Sequence, residues 1–571
     1  MFLIKDIDEY NLVKTKKIVA ENKEIFFKLK HLNIKYFYKT FNNSNQFKND
    51  FYLNWFRDYY GNDLTRIEKI SFGHTLSRNF IFESTNLIKL KRSLDYYLNK
   101  NEKIYIFKDN SNIVRLTKFL INNSLKYKKN IILLKKNKPC YKGPNPLAKR
   151  GHITPFKNKP YIYFFLKFIQ FFYSFILTNK ILYFKDWSSL NFFKSSNKIL
   201  ILNNKNIFKS FFLNKPLNFQ SMYKENHINK LSNFNLDKRL IRKIFVKNKM
   251  VFTDNIYYLL NHLQKELIVR NKKTIIEYLN IYQNFLNFYK PKAIILPSGD
   301  PFHFSLLCQL AKKNMTKVIL CVDGYQIINE HQGLVYETKK KDTVFDFIFC
   351  PGKSYKKLMI DLQIKKKKLI QIDPPIFSNY EILDSKNSIE EKYDVMIIGY
   401  IPNTRNLNCF YDSNIETELE ILNVCSKLKL KKVSIKLKSG SNKMTNQQNT
   451  TINLYKKLFK IKYKKNLNIK LSLEYGQLYN VINKPKIIIG PLSTSYIEAL
   501  HNKSIYYVYE PKQNGLTELD FSLNRVCKKK YISRSPSKLI KSINSKNYLK
   551  IKKNFFSEGK IDSLNKFLEK I

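Results

Sequence analysis

Three hydroxyl residues in a row, Ser493, Thr494 and Ser495, stand between an apolar run and a segment of helical character. The run, Ile487 to Ile489, suits a strand buried on both faces of a parallel sheet. Gly490 and Pro491 stop it, and Tyr496 to Leu500 continue as a helix that the hydroxyls can cap. A strand turning sharply into a helix leaves backbone N–H groups unpaired at the positive end of a helix dipole, which suits a phosphate. Glu498, about one turn into that helix, reaches the same cleft and can accept hydrogen bonds from a ribose or sugar hydroxyl. A capped helix without a ligand is the plainer reading of the same residues.

Other reactive residues gather where apolar runs end. Asp300 and His303 follow the run Ala293 to Leu296, and Asp323 follows Thr316 to Val322. Open α/β sheets place ligands at such carboxyl ends, and each of the three residues is a candidate general base. Each also has a structural reading. Asp300 precedes Pro301 as an N-cap would, His303 falls in the first turn of a helix, and Asp323 in Asp-Gly-Tyr suits a turn. Gly399 ends the run from Tyr393 to Ile398, and Lys436 closes the run from Lys432, placed to neutralise phosphate charge. No cluster with metal-ligand spacing is present, so neither a metal nor a cofactor is expected.

The order of elements around the hydroxyl corner carries more information than the corner itself. Gln477 to Asn483 reads as a short amphipathic helix with Leu478, Val481 and Ile482 on its apolar side, followed by Lys484-Pro485 and the apolar strand. Helix, Lys-Pro turn, strand, Gly-Pro-x-Ser-Thr-Ser and Glu-Ala-Leu resembles the donor-nucleotide site of GT-B glycosyltransferases, in particular those that build bacterial capsule and lipopolysaccharide. The resemblance covers roughly residues 290 to 570, and the first half only loosely. It implies that Ser493, Thr494 and Ser495 meet donor phosphates and that Glu498 meets the ribose. It also implies an acceptor-side Rossmann-like domain ending near Leu369 to Ile376, and metal-independent transfer. Many relatives carry a Lys-x-His-Pro-Gly motif at the second strand of the donor domain. Here Lys436 matches the Lys, but Lys438 stands in place of the His and no Pro follows.

These elements read as an α/β protein, and the resemblance implies the GT-B type, with two Rossmann-like domains of parallel sheets facing each other across a cleft and a C-terminal helix. Residues 1–380 form the N-terminal acceptor-side domain, with a loop or insertion at about 136–250, and residues 391–571 form the nucleotide-sugar domain. Lys103 to Phe107, a helix through Val114, Leu116 and Leu120, and Asn130 to Leu134 make a parallel βαβ unit. The first 50 residues carry helical patches, Phe51 to Tyr60 reads as a helix, and Ser71 to Asn79 as a polar surface loop. Asp254 to Tyr289 is helical. Tyr161 to Leu177 is apolar and aromatic but broken by Lys167 and Gln170, so a buried core helix is favoured over an interfacial helix or a membrane anchor.

Composition narrows the function classes. Lys+Arg number 103 against 44 Asp+Glu, a net charge of +59. The excess is overwhelmingly Lys, with only about a dozen Arg, spread along the whole chain beside abundant Asn, Ile, Phe and Tyr. Base and phosphate readers favour the Arg fork, so a codon bias explains the charge better than nucleic-acid binding does. The charge still favours peripheral contact with an anionic inner-membrane surface. The seven Cys are widely spaced with no CxxC, which fits buried thiols and a reducing cytoplasm. The first ten residues hold acidic groups and do not read as a signal peptide.

The resemblance implies a glycosyltransferase with a nucleotide-sugar donor and a glycan or lipid-linked glycan acceptor, and the cysteine usage suits a cytoplasmic one. A nucleotide-sugar epimerase and a polyol-phosphate transferase share the architecture. A non-catalytic GT-B scaffold and a basic nucleic-acid-binding protein are the alternatives of another class.

Overall fold

The computed structural model describes residues 1–135, 180–184, 199–202, 229–296, 302–321, 345–373, 375–377, 392–399, 410–436, 448–491, 494–510, 529–549 and 561–570, apart from 22–28, 39–43, 362–363 and scattered single positions. Within them the chain is α/β, built on three large sheets whose strand pairs are all parallel. The parallel α/β class expected from the sequence is observed.

The first sheet holds β1 (Phe2–Ile4), β2 (Ile18–Ala20) and β3 (Lys35–Tyr36). After a small antiparallel hairpin of β4 (Arg66–Ile67) and β5 (Ile70–Ser71) come β6 (Ile104–Phe107) and β7 (Ile131–Leu134), giving the order β3-β2-β1-β6-β7. The expected βαβ unit is β6, the helix Asn112–Asn123 and β7, with Ile104 opposite Ile131. The first 50 residues depart from expectation: they supply the central strand of a sheet. Strands of two or three residues are too short to show a period, so the apolar triplets Phe2–Ile4 and Ile18–Ala20 pass unnoticed in the sequence.

Two further expectations in this region are corrected. The helix near Phe51 is Ser44–Asn54, and Trp55 and Phe56 beyond it are buried in the core. Ser71 to Asn79 is not a surface loop but the start of a 27-residue helix, Phe72–Leu98, whose N-cap is Ser71. Its polar residues are consumed inside the protein. Thr75 Oγ1 donates to Ser71 O at 3.0 Å, Trp55 Nε1 donates to Ser77 Oγ at 2.8 Å, and the Ser71 N–H donates to Gln309 Oε1 at 2.6 Å. Gly73 admits the Phe56 ring, which a Cβ would meet at 2.0 Å.

The middle sheet holds β8 (Ile181–Phe184), β9 (Ile199–Leu202), β10 (Ala293–Leu296), β11 (Lys317–Cys321), β12 (Phe347–Pro351) and β13 (Leu369–Ile372), in the order β13-β12-β11-β10-β8-β9. Residues 1–380 thus carry two parallel sheets. The helix Asp254–Tyr289 leads into β10, as its apolar spacing predicts. The aromatic stretch 161–177 lies outside the described residues, and no helix among those described is long and apolar enough to cross a membrane.

The third sheet holds β14 (Tyr393–Ile398), β15 (Lys432–Lys436), β16 (Lys470–Glu474), β17 (Pro485–Gly490), β18 (Tyr506–Tyr509) and β19 (Ile532–Ser533). Their order, β16-β15-β14-β17-β18-β19, is the doubly wound one. Side chains alternate across it. Val395, Ile397, Val433 and Ile435 pack under Leu419, Leu422 and Phe459 of the helices Phe410–Lys427 and Gln448–Tyr463. Met396 and Ile488 join Tyr496 and Ile497 in a cluster that runs on to Leu296, Val318 and Leu320 of the middle sheet.

The chain then crosses back. The C-terminal helix Ile561–Lys570 buries Leu564 and Leu568 against Ile295, Ile319 and Phe349 of the middle sheet, with the Phe567 ring edge-on to Phe347 at 4.9 Å. Cys308, Cys321, Cys350 and Cys425 are buried and outside any disulfide, as their apolar settings predict, and burial pushes the thiols of Cys350 and Cys425 up to about 12.

Candidate functional site

The winding of the third sheet reverses at β14. The chain moves outward through β15 and β16 on one side, then returns to lay β17, β18 and β19 on the other. Such a reversal opens a crevice at the carboxyl ends of the two strands that flank it, here β14 and β17. Gly399 follows β14, and Gly490 is the last residue of β17.

Both glycines are required by close approach. A Cβ on Gly490 would lie 2.3 Å from Tyr506 Oη and 2.8 Å from Ile398 Cβ. The same Tyr506 hydroxyl donates to the Pro491 carbonyl at 2.7 Å, and its ring packs edge-on against Tyr496 at 5.2 Å. The corner between β17 and the helix Thr494–His501 is thereby fixed from beneath by two buried tyrosines. A Cβ on Gly399 would lie 2.2 Å from Glu418 Oε1. That carboxylate is buried and accepts the Tyr455 hydroxyl, so the backbone leaving β14 rests on a fixed negative group.

Two buried side chains of opposite charge, close enough to influence each other, come from β15 and from the helix after β17. Lys436 closes β15, opposite Ile398 in register, and its carbonyl accepts the Gly399 N–H at 3.1 Å. Glu498 stands in the second turn of the helix Thr494–His501. They are 6 % and 7 % exposed, too buried for ordinary surface charges. Burial pushes the Lys436 ammonium down to about 8, against the opposing pull of Glu498 and then Glu474, the residue beside it on β16. Glu474 in turn accepts the Tyr393 hydroxyl at 2.5 Å. A lysine in this state is a cation that gains from an added anion, because the anion repays part of its desolvation.

The structure thus brings together four of the residues singled out in the sequence: Gly399, Lys436, Gly490 and Glu498. Ser495 is half-buried in the first turn of the same helix. Thr494 is its first residue, but its side chain, like all of Ser493 and Lys438, lies outside the described residues. The short helix expected at Gln477 to Asn483 is a single 3-10 turn, Leu478–Asn480, with Leu478, Val481 and Ile482 buried as predicted.

In the sequence the candidate bases follow two strands of the middle sheet, β10 and β11. Its winding reverses between β8 and β10, and the segment after β10 contains Asp300. Asp300 and Asp323 lie outside the described residues. His303 is the second residue of the helix Phe302–Lys313, with its side chain outside them too. Sequence reasoning missed Tyr506, Glu418 and Glu474. Tyr506 hides in the run Tyr506-Tyr-Val-Tyr509 and Glu418 in the acidic run Glu416-Thr-Glu-Leu-Glu420, neither of which marks one member as special.

No family model matches the chain, and no curated protein matches it. Among solved structures it is similar to the UDP-GlcNAc 2-epimerase of Methanocaldococcus jannaschii in complex with UDP-GlcNAc and UDP. The TM-score is 0.40 at 15% identity, over 68% of this chain and 97% of that one. It is also similar to a glycosyltransferase from Rickettsia africae, with TM-score 0.32 and 11% identity over 53% of this chain and 76% of the other. MurG of Acinetobacter baumannii follows, with TM-score 0.27 and 11% identity over 48% and 70%.

Proposed function

We propose that the chain is a nucleotide-sugar enzyme of GT-B type, a glycosyltransferase that moves a sugar from a nucleotide donor to a surface-glycan acceptor of capsule or lipopolysaccharide kind. The observation that carries the reading is the buried pair Lys436 and Glu498 at the switch point of a doubly wound sheet, with Gly399 and Gly490 opening the backbone beside them. A leaving nucleoside diphosphate needs positive charge and N–H donors fixed before the bond breaks. Lys436 and the N-terminus of the helix Thr494–His501, with Ser493, Thr494 and Ser495, supply them. Glu498 accepts the ribose hydroxyls. Asp323, Asp300 or His303 takes the proton of the acceptor hydroxyl. No metal is required for these steps, because the lysine and the helix dipole do the electrostatic work. The enzyme works at the inner face of the membrane, drawn there by its positive charge.

The test is product analysis with a panel of nucleotide sugars, with and without lipid-linked glycan acceptors. Transfer predicts free nucleotide and an extended acceptor in equal amounts. An altered nucleotide sugar with no acceptor consumed identifies an epimerase. A polyol joined to phosphate identifies a polyol-phosphate transferase.

A further inference from the structure

The helices Asn112–Asn123 and Asp254–Tyr289 leave an open groove of about 480 Å³ between them, far in sequence from the nucleotide corner. Each helix turns one face to it. Lys118 and Asn122 stand four residues apart on one wall, and His262, Lys265 and Val269 recur at three and four residues on the other.

The base of the groove is built from buried charge. Glu83, 3% exposed, meets Arg115 at 3.1 Å and Arg270 at 2.5 Å, and Glu266 meets the same two arginines at 3.1 and 3.2 Å. The Nε and Nη2 of Arg115 also donate to Asn112 Oδ1. The Arg115 fork is spent within the protein, and the one carboxylate lining the groove, Glu266, is bound by two guanidiniums. The charge left for a ligand comes from Lys118 and Lys265, which form no ion pair or hydrogen bond among the described residues. Phe119 and Val269 add apolar surface to the two walls, and the Tyr258 ring lies 4.2 Å from that of His262.

We propose that this groove binds a carboxylate-bearing sugar chain of the uronic-acid type. Two ammonium groups, neither paired among the described residues, stand on opposite walls and attract the carboxylates that a uronate chain carries on its rings. The Asn122 amide offers donors and an acceptor to hydroxyls, Asn123, whose Nδ2 donates to Phe119 O at 2.8 Å, adds its amide oxygen, and Phe119 and Val269 suit the apolar faces of sugar rings. Nucleic acid fits less well, because the Arg115 fork that would grip phosphate bidentately is occupied. An acidic peptide is the competing occupant of a groove between two helices, and its binding is an outcome of the experiment below. The inference goes beyond the nucleotide-sugar reading and stands without it, since binding here is measured with no nucleotide present.

The experiment is calorimetric titration of the full chain with a uronate tetrasaccharide, a neutral tetrasaccharide and a tetra-aspartate peptide. Lys118→Glu/Lys265→Glu is compared with Lys456→Glu/Lys457→Glu, which makes the same charge change on an exposed stretch of the helix Gln448–Tyr463. Circular dichroism and the melting temperature establish that each variant is folded, and Lys118→Gln/Lys265→Gln replaces the first should it fail. The expected result is uronate binding about tenfold or more tighter than neutral or peptide binding, weakened about tenfold or more only by the groove variant. Equal loss in both variants shows diffuse attraction to a basic chain and overturns the proposal. Tighter binding of the peptide, or no uronate binding, overturns it as well.

Discussion

The hydroxyl of Tyr506 donates to the carbonyl of Pro491 at 2.7 Å while occupying the space a Cβ on Gly490 would need. One tyrosine therefore both fixes the turn after β17 and demands a glycine at its start. Tyr506→Phe removes one buried hydrogen bond, worth about 1 kcal/mol. Its melting temperature is expected to drop by a few degrees, and nucleotide binding at the corner to weaken.

Gly490→Ala is expected to cost about 1–3 kcal/mol, because neither the tyrosine ring nor Ile398 Cβ yields easily. Denaturant titration of Gly490→Ala, Tyr506→Phe and the double variant checks the shared contact. The double variant should lose less than the sum of the single losses.

With a nucleotide at the proposed site, Lys436 is expected to make its binding depend on pH. Its proton is held more weakly in the folded chain, at about 8, than at the ordinary 10.5, because burial penalises the ammonium. The charged form therefore costs stability below about pH 8, and that cost fades as pH rises from about 8 towards 10.5. A bound diphosphate acts in the other direction by favouring the charged form, so binding takes up a proton above about pH 8. Affinity measured by calorimetry is expected to be highest below that pH and to fall above it. Lys436→Gln should weaken binding by about tenfold to a hundredfold, the range of one charge-assisted hydrogen bond, and flatten the pH profile.

How much of this the sequence showed depends on strand length and on where polar residues find partners. Tyr393 to Ile398 is long enough to announce β14, and the triplet Ile487 to Ile489 is marked as a strand by the Gly490-Pro491 stop and the hydroxyls after it, so Gly399, Gly490 and Glu498 are legible. The triplets of β1 and β2 were not. Ser71, Thr75 and Ser77 read as a loop because a sequence does not reveal that their hydroxyls bond back to the helix or its neighbours. Tyr506 was invisible as a site residue because its role depends on a glycine sixteen positions away in the chain.

Glu83 holds the helix Phe72–Leu98 to Asp254–Tyr289 through Arg270 and to Asn112–Asn123 through Arg115. Glu83→Gln leaves two guanidiniums short of charge around a buried amide. About 3 kcal/mol is expected to be lost, the lower end for a broken buried pair, because both arginines are more than a quarter exposed. Urea unfolding measures it.

Leu568→Ala in the C-terminal helix removes a side chain buried against the middle sheet and should cost about 2–5 kcal/mol of that docking. Limited proteolysis is expected to cut residues beyond 549 from the variant well before the parent chain.

The central claim is that the crevice between β14 and β17 holds a nucleotide between Lys436 and Glu498. Thermal unfolding with UDP, GDP, CMP, CDP and ADP tests it most directly, on the parent chain, Lys436→Gln and Glu498→Ala. A rise of several degrees with one nucleotide, lost in both variants, is the predicted result. No rise with any nucleotide, or a rise that survives in both variants, would contradict it.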